Sequence, residues 1–104
     1  MRWHPEAEAE QEGLPARERF ALRSAIEKLE AVGDQLGFPH SSSIERGLRE
    51  LRPRQGRSPW RAFYARVADV IVILAIGPEA QQDRRGFERA VRCADERLRS
   101  IKEE

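Results

Sequence analysis

Trp60-Arg61-Ala62-Phe63-Tyr64-Ala65-Arg66-Val67, then Ala68-Asp69, then Val70-Ile71-Val72-Ile73-Leu74-Ala75-Ile76 is the stretch whose reading decides the fold. Two short runs rich in β-branched, aromatic and small apolar residues flank a two-residue break, and Gly77-Pro78 closes the second run. Leu48 to Pro53 precedes them across Gln55-Gly56-Arg57-Ser58-Pro59. The three segments therefore read as an antiparallel meander, although Ala68-Asp69 lacks the glycine that primed hairpin turns favour. The last run is apolar on both faces, which predicts a central position in the sheet.

On either side the spacing changes to that of helices. Pro5 suits a first helical position, and Glu6 to Glu12 place acid near a helix N-terminus before Gly13 interrupts. From Pro15, the positions Phe20, Ile26, Leu29 and Val32, with Leu22 and Ala25, predict a second helix buried along one face and stopped at Gly33-Asp34. Gly33 to Ser43 has neither period and reads as a loop. Beyond Asp83 the stripe Phe87, Ala90, Val91, Ala94, Leu98 and Ile101 predicts a helix from about Arg84 to Lys102, with Cys93 as a small packing residue beside it. The expected fold class is α+β: an N-terminal helical hairpin packed on a small, mainly antiparallel twisted sheet of three or four strands, with a C-terminal helix. Residues 1–104 are expected to form one domain.

The chain has 104 residues, enough for one hydrophobic core without disulfides. One cysteine and two histidines, His4 and His40, exclude an intrachain bridge and any zinc-ligand spacing, so no metal or other cofactor is expected. The longest apolar run, Val70 to Ile76, is far short of the ~20 residues of a membrane-spanning helix, and Met1 to Pro5 leads into acid rather than an apolar signal segment. A cytoplasmic protein with no membrane partner is the expectation.

The formal net charge of +1 conceals an asymmetry. Arg46, Arg49, Arg52, Arg54, Arg57, Arg61 and Arg66 fall in one stretch whose only acid is Glu50, whereas Glu6, Glu8, Glu10 and Glu12 sit near the start. Clustered arginines suggest an anionic partner, and their planar forks suit phosphate and stack on bases. Side chains alternate along a strand, so Glu50, Arg52 and, in a longer strand, Arg54 share one face, opposite Arg49 and Leu51. Arg61 shares a face with Phe63, while Trp60, Tyr64 and Arg66 point the other way. Arginines flanked by Trp60 and Tyr64 suit single-stranded RNA; both aromatics are also readable as core or cross-strand packing residues.

Gly47-Leu48-Arg49-Glu50-Leu51-Arg52, followed by Trp60-Arg61-Ala62-Phe63-Tyr64 and the apolar strand, resembles the RelE/HigB superfamily of bacterial toxins, in its phage-derived HigB-like branch. Trp3-His4-Pro5-Glu6 and Leu36-Gly37-Phe38-Pro39-His40-Ser41 fit the same branch. The resemblance implies a type II toxin of a toxin–antitoxin pair. Such a toxin is an mRNA endoribonuclease that acts on translated mRNA, often on the ribosome, and is suppressed by a cognate helix-turn-helix antitoxin. By motif position Arg52 and Arg54 match basic residues of the toxin strand, and Arg61 matches the arginine of the aromatic-Arg pair. Arg49, Arg57, Trp60 and His40, with Arg84 and Arg85, complete the expected RNA-binding set. Two departures stand out. Family members carry basic residues just after the last strand, where this chain has Gly77-Pro78-Glu79-Ala80-Gln81-Gln82; they also have several strand residues before Trp-His-Pro, where only Met1-Arg2 precede Trp3. The first departure suggests an alternative, a weakened domain that binds antitoxin or RNA without cutting.

Cleavage without metal needs a base for the 2′-hydroxyl, in-line geometry and positive charge on the phosphorane oxygens. Arginine supplies only the charge, so Arg52, Arg54 and Arg61 are candidates to clamp phosphate. Glu50, His40 and Tyr64 are the candidate bases, and the residue types alone leave the choice among them open.

Overall fold

A computed structural model describes residues 1–103. The elements follow in the order β1 (Arg2–Trp3), α1 (Pro5–Glu12), α2 (Ala16–Val32), a 3-10 turn (Gly33–Gln35), β2 (Ser41–Glu45), β3 (Leu48–Leu51), a second 3-10 turn (Pro53–Gly56), β4 (Trp60–Val67), β5 (Val70–Pro78) and α3 (Arg84–Lys102). The class is α+β, with three helices and one five-stranded mixed sheet among the described residues, in the order β1-β5-β4-β3-β2. The meander β3-β4-β5 is antiparallel throughout, and Ala68 turns its last hairpin at a positive φ of 54°.

Several expectations are corrected. The sheet has five strands because β1 adds in parallel to β5, pairing Arg2 with Val72 and Trp3 with Ile73, so a strand rather than a helix comes first. The supposed loop before Glu45 ends in β2, an edge strand that pairs Ser41 with Leu51 and Ser42 with Glu50. Three serines give it no strand period; the backbone ladder of β3 recruits it. The first strand of the meander stops at Leu51, not Pro53, because the chain turns into the 3-10 segment. The N-terminal helices pack chiefly on the sheet, α1 on β5 and α2 on β4 and the Pro53–Gly56 turn, with Ala7 of α1 and Leu22, Ile26 and Leu29 of α2 in one core.

Each face of the sheet carries its own core. Leu22, Ile26 and Leu29 of α2 meet Leu51, Ala62, Tyr64, Ile73 and Ile76 on one face. Ala90, Val91, Ala94 and Leu98 of α3 meet Leu48, Phe63, Ala65, Val72, Leu74 and Ala75 on the other. This explains why β5 is apolar on both faces. Its alternation breaks once, since Phe63 pairs with Ala75 and Tyr64 with Ile73, leaving Leu74 as a bulge. The bulge turns Leu74 and Ala75 toward the same core. Phe20 and Val32, read as core, are exposed; the buried stripe of α2 is narrower than its apolar content.

β1 covers β5 only as far as Ile73, and side chains finish the edge beyond it. Arg97 of α3 donates to the Leu74 carbonyl at 2.7 Å, and Glu10 of α1 accepts from the Ile76 amide at 3.1 Å. Arg97 and Glu10 bond each other at 2.8 and 3.2 Å. Hydrogen bonding to Glu10 outweighs burial and holds the Arg97 guanidinium above its ordinary pKa. The pair joins the helices of both faces across the bulge.

Candidate nucleic-acid interface

The arginines after β3 are held by a strained turn. Arg54, Gln55 and Gly56 all have positive φ, at 54°, 59° and 93°. Only the glycine takes this conformation freely, so the surroundings must hold the other two. Glu18 of α2 does so by accepting from Arg54 Nη2 at 3.0 and 3.1 Å and from the Ser58 hydroxyl at 2.9 Å. Gly56 is also needed for space, because a Cβ there would strike the Arg52 guanidinium.

Arg61 lies beneath this turn and is only 3 % exposed. Its Nε donates to Glu50 at 2.9 Å, and its Nη atoms donate to the carbonyls of Ser58, Trp60 and Gly56 at 2.7, 3.0 and 3.3 Å. Glu79, standing where the resemblance expects a basic residue, lies 3.9 Å from Arg61 Nη2. Burial, with Arg52 nearby, pushes the Arg61 guanidinium below its ordinary pKa against the opposing pull of Glu50. Arg61 thus spends its fork on the protein itself, tying β3, β4 and the turn together.

The remaining expected residues divide between a groove and other places. Tyr64 is buried, with its hydroxyl bonded to the Ser41 hydroxyl, and Arg49 Nε donates to both at 3.0 and 3.3 Å. Trp60 is half-buried and packs on the α1/α2 core. Arg57 is exposed, with Nε on the Arg54 carbonyl at 3.1 Å. Arg84 and Arg85 are exposed at the start of α3, on the opposite layer, where Arg84 lies 3.7 Å from Glu88. The expected shared face of Glu50, Arg52 and Arg54 is also divided: Arg52 lies 3.9 Å from Glu50, whereas Arg54 turns to α2.

His40, Arg52 and Arg54 do come together. They form one wall of a groove of about 440 Å³ whose other wall is α2. Arg17, Ala21, Ser24 and Lys28 line the α2 side at spacings of four, three and four residues, so small side chains make the floor between two cations. The lining contains no carboxylate. Phe20 lies on the same wall and Phe38 beside Arg52, each 74 % exposed. The Arg52 guanidinium sits 5.0 Å from the Phe38 ring centroid and donates to the Pro39 carbonyl at 3.1 Å. Backbone bonds from the His40 amide to Gly37 and from the Arg52 amide to the His40 carbonyl fix the loop to the end of β3. Of the three candidate bases, only His40 lines the groove.

Sequence reasoning missed Arg17, Lys28 and the exposure of Phe20. The available signal was the mismatch of Phe20 with the Leu22–Ile26–Leu29 stripe, since an aromatic off the buried face needs another use. Concave shape, surplus positive charge and exposed rings together fit a single-stranded nucleic acid: cations take phosphates and rings take bases. Among the described residues no cluster could hold a metal ion, and no helix is long and apolar enough to cross a membrane. Residues 9–99 match the family model described as phage derived protein Gp49-like (DUF891). No curated protein matches the chain.

Proposed function

The chain belongs to the phage-derived Gp49-like family, a family of RelE/toxin-like proteins, and on that premise we propose that it is the toxin of a toxin–antitoxin pair and an mRNA endoribonuclease that works in the α2 groove. The observation that carries this reading is the meeting of His40 and Arg52 on one wall of a cationic, carboxylate-free groove flanked by exposed aromatic rings. In the proposed reaction the His40 imidazole takes the proton from a ribose 2′-hydroxyl, whose oxygen attacks the adjacent phosphorus. Arg52 stabilises the charge on the phosphorane. The 5′ oxygen leaves with a proton from solvent, giving a 2′,3′-cyclic phosphate end. Histidine suits the task because its ordinary pKa is near neutrality. Arg17 and Lys28 hold flanking phosphates, and an antitoxin suppresses the activity in the cell.

Induced expression should arrest growth, and the neighbouring gene's product should relieve the arrest and copurify. Purified protein should cut end-labelled mRNA, alone or on translating ribosomes, to cyclic-phosphate ends. His40→Ala should lose cutting while keeping RNA affinity. Cutting at the wild-type rate by both His40→Ala and Arg52→Ala would refute the site. The neutralisation of Arg61 by Glu50 and Glu79 favours a second reading, a domain that binds RNA or antitoxin without cutting; RNA affinity with no cleavage, on or off the ribosome, selects it.

A further inference from the structure

The other flank of α2 has the opposite charge. Between α1 and α2 runs a second groove, of about 350 Å³, into which Glu8 and Glu12 face from one helix and Glu27 and Glu30 from the other. All four carboxylates are exposed, and none makes a salt bridge among the described residues. Arg23, the one cation in the lining, does not pair with them either. Glu8 with Glu12 and Glu27 with Glu30 are like charges at i,i+4 and i,i+3, spacings that weaken a helix. A bound cation would offset the mutual repulsion of these four carboxylates.

A second feature points to a ligand independently of the acid. Gln11, on α1, is 6 % exposed, its side chain makes no hydrogen bond within the described residues, and it lines this groove. The amide is not sealed in the core but meets the groove, where a ligand can take the place of solvent as its partner. Its carbonyl oxygen can accept from an ammonium or guanidinium entering between the carboxylates. Trp3, half-buried in the same lining, offers an indole, the ring type that best attracts a cation.

We infer that the α1/α2 groove is a docking site for a basic segment of a partner protein, with a lysine or arginine side chain inserted at Gln11 and Trp3 and further cations along Glu8, Glu12, Glu27 and Glu30. Charge complementarity selects this occupant: the groove repels nucleic acid, and its carboxylates are distributed over two helices, so an extended segment can engage both walls. The site is separate from the RNA groove, so the two readings stand or fall independently.

The test uses the whole protein and a ten-residue peptide of alternating arginine and alanine, followed through the Trp3 indole and Gln11 side-chain amide NMR signals. The peptide should shift both signals saturably, more weakly as salt rises. The paired substitution Glu8→Gln/Glu27→Gln should weaken binding at least tenfold, and Gln11→Leu should weaken it without abolishing it. Arg52→Ala should leave it unchanged. Absence of binding, shifts elsewhere than Trp3 and Gln11, or equal affinity in the Glu8→Gln/Glu27→Gln protein overturns the inference. Spermidine binding as tightly as the peptide also overturns it, because the groove would then be a site for a small polyamine.

Discussion

Arg61 and Arg52 show how differently two arginines of one cluster are used. Arg61 gives its donors to Glu50 and three carbonyls in a buried position, and breaking such an arrangement costs about 3 kcal/mol because the partners stay behind unpaired. Arg61→Ala is therefore expected to lower the melting temperature by ~10–20 °C for a domain of this size. Arg61→Lys should recover little of the loss, since an ammonium cannot satisfy a fork of acceptors. An Arg61→Ala protein that melts like wild type would show that this network contributes nothing. Arg52 instead sits at the groove with a partly exposed side chain. Its alanine variant should fold normally and lose ~1.5–3 kcal/mol of RNA binding, measurable by filter binding or anisotropy.

At the level of elements, the short β1 leaves the outer edge of β5 to be closed by Glu10 and Arg97. Removing Glu10 withdraws the acceptor of the Ile76 amide, so Glu10→Ala should speed hydrogen exchange at Ile76 and cost ~1–3 kcal/mol. A double-mutant cycle with Arg97→Ala should find the two side chains coupled rather than additive; unaltered Ile76 protection would contradict the edge-closing role. The other end of β5 is held by close packing. A Cβ at Gly77 would collide with Ala90 of α3 and approach the Phe63 ring at 3.3 Å. Gly77→Ala should push α3 off the sheet and destabilise by ~1–3 kcal/mol, read from denaturant midpoints. The fold's second core depends on this contact, because α3 has no other layer to pack on.

Across the whole molecule, α2 separates a cationic groove from an acidic one, so the proposed RNA would be directed to one side. With Arg17, Lys28 and Arg52 lining the groove to meet three phosphates, the logarithm of RNA affinity should fall with the logarithm of salt at a slope of about −2. Lys28→Ala should flatten that slope by ~0.7 without altering sequence preference, because phosphate contacts carry no base information. A slope near zero would mean that binding rests on the aromatic rings alone.

The three antiparallel strands, the Ala68-Asp69 turn and the limits of α3 were legible in the sequence because each depends on local spacing: short apolar runs, turn residues and one continuous stripe. The positive charge between Arg46 and Arg66 was legible as well, and with it the expectation of an anionic partner. Only the tertiary structure decided which arginines are available. Arg61 turns inward because Glu50 of β3 and Glu79 beyond β5 converge on it with the nearby carbonyls of Gly56, Ser58 and Trp60, while Arg52 is joined by Arg17 and Lys28 from a helix more than twenty residues earlier in the chain. β2 likewise exists through its ladder with β3, and the pairing of Glu10 with Arg97 spans 87 residues. Local spacing records which face of an element is apolar; which side chains from remote elements meet at that face is set by packing, and local sequence carries no signal of it.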